Sequence, residues 1–161
     1  MMKVCVAGTF NVFHKGHKLL IDTAIQTAGK TGIIFIGITK GELLKKKKFL
    51  IPFEQREQAI RDYLNEKLFH RYEIIPIYDI YGLAIDGSYD AIIVSPETKE
   101  NAQEINEKRM QKQKNPLEII SIPYILATDK KPISSTRILN NEIDVNGHIV
   151  NKKIETKKNS K

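Results

Sequence analysis

Residues Gly8 to His17 read Gly-Thr-Phe-Asn-Val-Phe-His-Lys-Gly-His. His14 and His17 flank Gly16 just as an apolar-periodic segment begins, a pattern suited to gripping phosphate. A helix start aims free backbone N–H groups at an anion, and glycine lets the backbone approach a ligand closely. Each imidazole adds one donor when neutral and two when charged. A second segment, Ser134-Ser135-Thr136-Arg137, follows Pro132-Ile133. There Ser134 or Ser135 can cap a helix, while the other hydroxyls, the free amides and Arg137 form another anion cradle. A third feature is the run Lys45-Lys46-Lys47-Lys48. One of these lysines is expected to reach a phosphate and the others to remain in water, with Lys40 a weaker rival. No third or fourth ligand lies near the histidines, which argues against zinc.

Such groups work only if the chain brings them together. Lys3–Ala7 is an apolar run ending at Gly8, and it predicts a strand that delivers the first motif. From about His17, Leu20, Ile21, Ala24, Ile25 and Ala28 recur at helical spacing until Gly29 stops them. Strands are expected at 32–39, 73–78, 91–95 and 118–122. Helices are expected at 53–68 (inner stripe Phe53, Ile60, Tyr63, Leu64, Leu68) and at 98–114, where Thr98 is the N-cap and Ala102, Ile105 and Met110 form a thin stripe. A last short helix starts at Ser134. Strands that alternate with helices imply a single Rossmann-like α/β domain: a five-stranded, mostly parallel sheet with helices on both faces. Ligands of such sheets bind beyond the carboxyl ends of the strands, where Gly8–His17 falls.

Composition narrows the function classes. The chain has 161 residues, 41% hydrophobic and 28% charged, which fits one domain at 1–147 with a loose, basic tail at 148–161. No apolar run approaches the roughly 20 residues of a membrane span. Cys5 is the only cysteine, so no internal disulfide can form and a reducing cytoplasm is expected. Net charge is +7, but after Val150 five lysines face a single glutamate, which leaves about +3 on the body. A basic nucleic-acid-binding module is disfavoured, because aromatics are 7%, tryptophan is absent and no basic segment is interleaved with stacking residues.

The two motifs, in this order, resemble the nucleotidyltransferase superfamily that carries His-x-Gly-His and Ile-Ser-[Ser/Thr]-x-[Arg/Lys]. Further segments are Tyr78–Gly82, Val94–Thr98, Ile105–Arg109, Pro116–Ile119 and Glu142–Gly147. They look like the archaeal and eukaryotic type of phosphopantetheine adenylyltransferase, and the resemblance spans residues 3–147. It departs at Asn11, where the superfamily usually has Asp. The resemblance implies adenylyl transfer from ATP to 4′-phosphopantetheine in coenzyme A biosynthesis, giving dephospho-coenzyme A and pyrophosphate, without a protein nucleophile. It also implies residue roles. Thr9 would orient the attacking phosphate and His17 would stabilise the α-phosphate. Gly8, Phe10, His14, Gly16 and Ser95 would line the ATP site. Ser134, Ser135, Thr136 and Arg137 would hold the β- and γ-phosphates, and one lysine of the run Lys45-Lys46-Lys47-Lys48 would bridge nucleophile and α-phosphate. Asp79 and Arg109 would lie on the acceptor side, with Asn106 in the same segment. Mg²⁺ would be bound mainly through ATP. The alternatives on the same scaffold are a cytidylyltransferase and an adenylyltransferase for flavin or nicotinamide mononucleotide.

Overall fold

The computed structural model describes residues 1–45 and 48–150. Strands β1 (Lys3–Gly8), β2 (Ile33–Thr39), β3 (Tyr72–Ile77), β4 (Ala91–Val94) and β5 (Glu118–Ser121) form one sheet of order β3-β2-β1-β4-β5. Every pairing between these strands is parallel, so the expected "mostly parallel" sheet is wholly parallel among the described residues. Helices α1 (Lys15–Ala28), α2 (Phe53–Glu66), α3 (Lys99–Gln111) and α4 (Ser135–Leu139) connect and follow the strands. A short 3₁₀ turn, Gly41–Leu44, was not apparent from periodicity.

The alternation of side chains along each strand sorts the core into two layers. Val4, Val6, Ile34, Ile36, Ile38 and Ile93 face α1 and α2, where they meet Leu20, Ile21, Ala24, Ile60 and Leu64. Cys5, Ile92 and Val94 face the other way, onto Ala102 and Ile105 of α3. Full burial of each isoleucine contributes about 1.5–3 kcal/mol. Helices therefore cover both faces, as strands this apolar require. None of these helices is long and apolar enough to cross a membrane.

Two stripe assignments change. Leu68 lies beyond α2 with φ 54° and is exposed, while Phe69 is buried instead. On α3 it is Arg109, not Met110, that points inward. Position 109 is four residues from Ile105 and shares its face, whereas 110 is rotated off it. Thr98 stands at the start of α3 but makes no capping bond; its hydroxyl accepts the Ser95 N–H at 3.1 Å. The packed body continues to Val150 through a bridge between Ile143 and Ile149, and the rest of the expected tail, 151–161, lies outside the described residues.

Candidate active site

From β1 the chain winds to β2 and β3 on one side and later returns to place β4 on the other. That reversal opens a crevice past the carboxyl ends of β1 and β4. A cleft of about 700 Å³ lies there, lined by Gly8, Thr9, Phe10, His14, Gly16, His17, Ser95, Ser134, Ser135 and Thr136. The volume falls within the roughly 300–1,000 Å³ of small-molecule sites.

The first motif is built by local packing. Phe10 takes φ 51°, unusual for a side chain other than glycine, with its ring buried and lying over Gly8. A Cβ at Gly8 would stand 3.2 Å from that ring. The ring in turn walls His17, centroids 5.1 Å apart. His14 is the N-cap of α1, and its Nδ1 accepts the Gly16 N–H at 3.0 Å. The proton of a neutral His14 is therefore on Nε2. His14 and His17 stack at 3.9 Å, tilted by 20°. Gly16 is needed because a Cβ there would lie 2.8 Å from His14 Cε1.

Burial lowers the His14 pKa to about 4, so the ring offers one neutral donor rather than two. Its unfolded value is near 6.5. The unfolded chain binds more protons between those values, so His14 contributes stability above pH 6.5 that is lost as pH falls toward 4. NMR titration is expected to show His14 protonating near pH 4. In Gly16→Ala the displaced ring is expected to titrate close to the ordinary value of about 6.5. An unchanged value in that variant would mean that Gly16 does not seat the ring.

The two motifs, far apart in sequence, are joined directly. Ser135 Oγ accepts the Val12 N–H at 3.1 Å and donates to Val12 O at 3.2 Å. Ser134 Oγ accepts the Arg137 N–H at 3.2 Å and so caps α4. Both serine hydroxyls thus have structural tasks, which leaves the Thr136 hydroxyl and the first amides of α4 for an anion.

Other residues depart from expectation. Arg137 is absent from the cleft lining; its guanidinium holds Asp129 and Glu142 and donates to Pro132 O. Two carboxylates and a carbonyl within reach outweigh an open cleft for this cation. Arg109, expected on the acceptor side, is absent from the cleft lining. It is 3% exposed and donates to the carbonyls of Ala84, Ile85, Gly87 and Asn115, an internal tie between α3 and the preceding loop. Asn106 likewise bonds Leu117 through both amide atoms. Asp79 does line the cleft, with its carboxylate accepting the N–H groups of Tyr81 and Gly82. Lys45 pairs with Glu42 at 2.7 Å in solvent, and Lys40 lies over the Phe53 ring. Lys46 and Lys47 lie outside the described residues. Among the described residues, Lys48 is the member of the run found on the cleft lining.

Arg56 escaped the reading of motifs. It is 2% exposed, and its Nη1 donates to Thr9 O and Thr39 O, both at 2.9 Å. The Thr39 hydroxyl bonds that of Thr9 at 3.1 Å. Burial draws the Arg56 pKa down and Glu54 opposes this, but a guanidinium stays charged near neutrality. A fixed positive charge therefore underlies Thr9. The signal was present in the sequence: Arg56 lies at helical spacing from Ile60, Tyr63 and Leu64, on a face otherwise apolar.

Comparison with known proteins places the chain in a family. A model of the cytidylyltransferase-like family matches residues 5–141. The chain is 42% identical over 149 residues to a phosphopantetheine adenylyltransferase of Methanosarcina acetivorans, covering 91% of this chain and 95% of that one. It is 39% identical over 150 residues to the phosphopantetheine adenylyltransferase of Archaeoglobus fulgidus, covering 92% and 100% respectively. Among solved structures, a protein with unknown function from Archaeoglobus fulgidus superposes with TM-score 0.69 at 36% identity, over 75% of this chain and 89% of that chain.

Proposed function

The chain belongs to the cytidylyltransferase-like family, among the archaeal phosphopantetheine adenylyltransferases, and from that premise we propose how its own residues carry adenylyl transfer from ATP to 4′-phosphopantetheine. The acceptor phosphate oxygen attacks the ATP α-phosphorus, the bond from that phosphorus to the bridging oxygen breaks, and pyrophosphate leaves with the electron pair. Such a reaction needs in-line placement and neutralisation of phosphate oxygens rather than a protein nucleophile. The observation that carries the reading is the Ser135–Val12 link, because it presents both anion-binding motifs to one cleft.

In this reading Thr9, fixed by Arg56 and Thr39, orients the attacking phosphate. His17 donates to the α-phosphate as charge builds on it, and His14, neutral with its proton on Nε2, donates alongside. Thr136 and the α4 amides receive the departing pyrophosphate, and Lys48 is the lysine of the run that reaches the phosphates. Arg137 braces the loop between Asp129 and Glu142 instead of touching phosphate. Elsewhere on the lining, Ile80, Leu83, Ala84 and Ile105 add apolar surface along with Asp79, which suits a slender alkyl-amide acceptor. Among the described residues, the carboxylates on the lining are Asp79 and Glu97, and Asp79 is engaged by amides. Mg²⁺ would accordingly be held by triphosphate oxygens and water, supplying charge neutralisation. We assign the reaction to the cytoplasm, in keeping with a sequence whose single cysteine allows no internal disulfide.

The test is an acceptor panel. The protein is incubated with ATP or CTP and, in turn, 4′-phosphopantetheine, glycerol phosphate, nicotinamide mononucleotide or flavin mononucleotide, and pyrophosphate release is followed. We expect ATP with 4′-phosphopantetheine to exceed every other pair by at least about 10²-fold in kcat/KM. A preference for CTP or for a mononucleotide acceptor would overturn the assignment.

A further inference from the structure

The two residues that follow Lys48, Phe49 and Leu50, are 62% and 38% exposed. Three hydrogen bonds to the floor of the cleft hold residues 49–51. Asn11 Nδ2 donates to Phe49 O at 2.6 Å, and Asn11 Oδ1 accepts the Ile51 N–H at 2.8 Å. Arg56 Nε donates to Ile51 O at 2.8 Å. Asn11 is 8% exposed, and the same Arg56 side chain grips Thr9 and Thr39.

We propose that the Asn11 carboxamide, backed by Arg56, is a positioning group that clamps residues 49–51 and thereby keeps Lys48 over the reacting phosphates. The proposal rests on the assigned reaction for the role of Lys48, but the clamp itself does not. Its chemistry is specific. One partner is a carbonyl and the other an N–H, both backbone, so residue 11 must donate and accept at once. A carboxamide does both, whereas a carboxylate at neutral pH only accepts. An aspartate here would keep the Ile51 bond and face the Phe49 carbonyl oxygen with a negative charge. The superfamily's usual aspartate therefore cannot make this clamp, which gives Asn11 a physical reason.

The experiment uses the full chain with Asn11→Asp, Asn11→Ala, Lys48→Ala and the Asn11→Asp/Lys48→Ala double variant. Limited trypsin digestion without substrates, read by mass spectrometry, should show cleavage of the Lys48–Phe49 bond accelerated about tenfold or more in both Asn11 variants. Cleavage after lysines of α1 and α3 should be unchanged. In the adenylyl-transfer assay Asn11→Asp should lower kcat between about tenfold and 10²-fold while the ATP KM stays within about threefold. In the Lys48→Ala background it should cause no further loss. Unaltered cleavage at Lys48, acceleration spread over all lysines, or a full additional loss in the double variant would each overturn the proposal. Faster local cleavage together with an inactive parent protein would sustain the clamp and remove the assigned reaction instead.

Discussion

His17→Ala is expected to lower kcat about 10²–10³-fold, the range for losing one transition-state donor, while ATP affinity stays within about threefold. The ring is fixed on three sides: His14 stacks on it at 3.9 Å, Phe13 lies nearly parallel at 5.8 Å and Phe10 is tilted against it at 5.1 Å. A ring held this way has little rotational freedom left to lose when the α-phosphate becomes crowded. In the proposed reaction such a preorganised donor would gain as negative charge grows on the α-phosphate oxygens, which is why the loss is expected in kcat. Steady-state kinetics with calorimetric ATP titration separates the two terms. Near-normal turnover would remove His17 from the chemistry, and a large loss of ATP affinity would make it a ground-state contact.

The second large effect is on stability. Arg109→Ala is expected to destabilise the fold by about 3–4 kcal/mol, because four carbonyl acceptors, one of them in a buried bond and three in part-buried bonds, lose a charged donor. For a chain of this size that lowers the unfolding temperature by about 10 °C. Below the transition the remaining folded enzyme should keep its KM for both substrates within about twofold. Thermal unfolding and kinetics on the same preparation decide the matter. A normal melting temperature with a raised acceptor KM would return Arg109 to the binding site.

Where the sequence could be read, the physics was local. Ile33–Thr39 is uninterrupted apolar chain and can only be an interior strand, and Gly29 ends α1 where a positive φ of 65° is needed. The first motif was legible because strand, glycine and histidines occur in one stretch. What could not be read depends on neighbours distant in sequence. Four adjacent identical lysines carry no information about which one the loop turns inward. Arg137 sits in the right motif, yet Asp129 and Glu142 capture it, and they belong to segments whose approach no periodicity reveals. The serine hydroxyls look like phosphate ligands until Val12 is seen beside one of them. Arg109 differs in kind, since its spacing from Ile105 already placed it on the inner face.

The bond between Ser135 and Val12 also bears on the life of the polypeptide before it is finished. During synthesis the first motif leaves the ribosome well before its closing partner, which lies 123 residues later. A nascent chain thus cannot close the first motif through this bond until Ser135 has emerged. Any truncation that removes α4 leaves the sheet its strands but deprives the histidine motif of the hydroxyl that holds it shut.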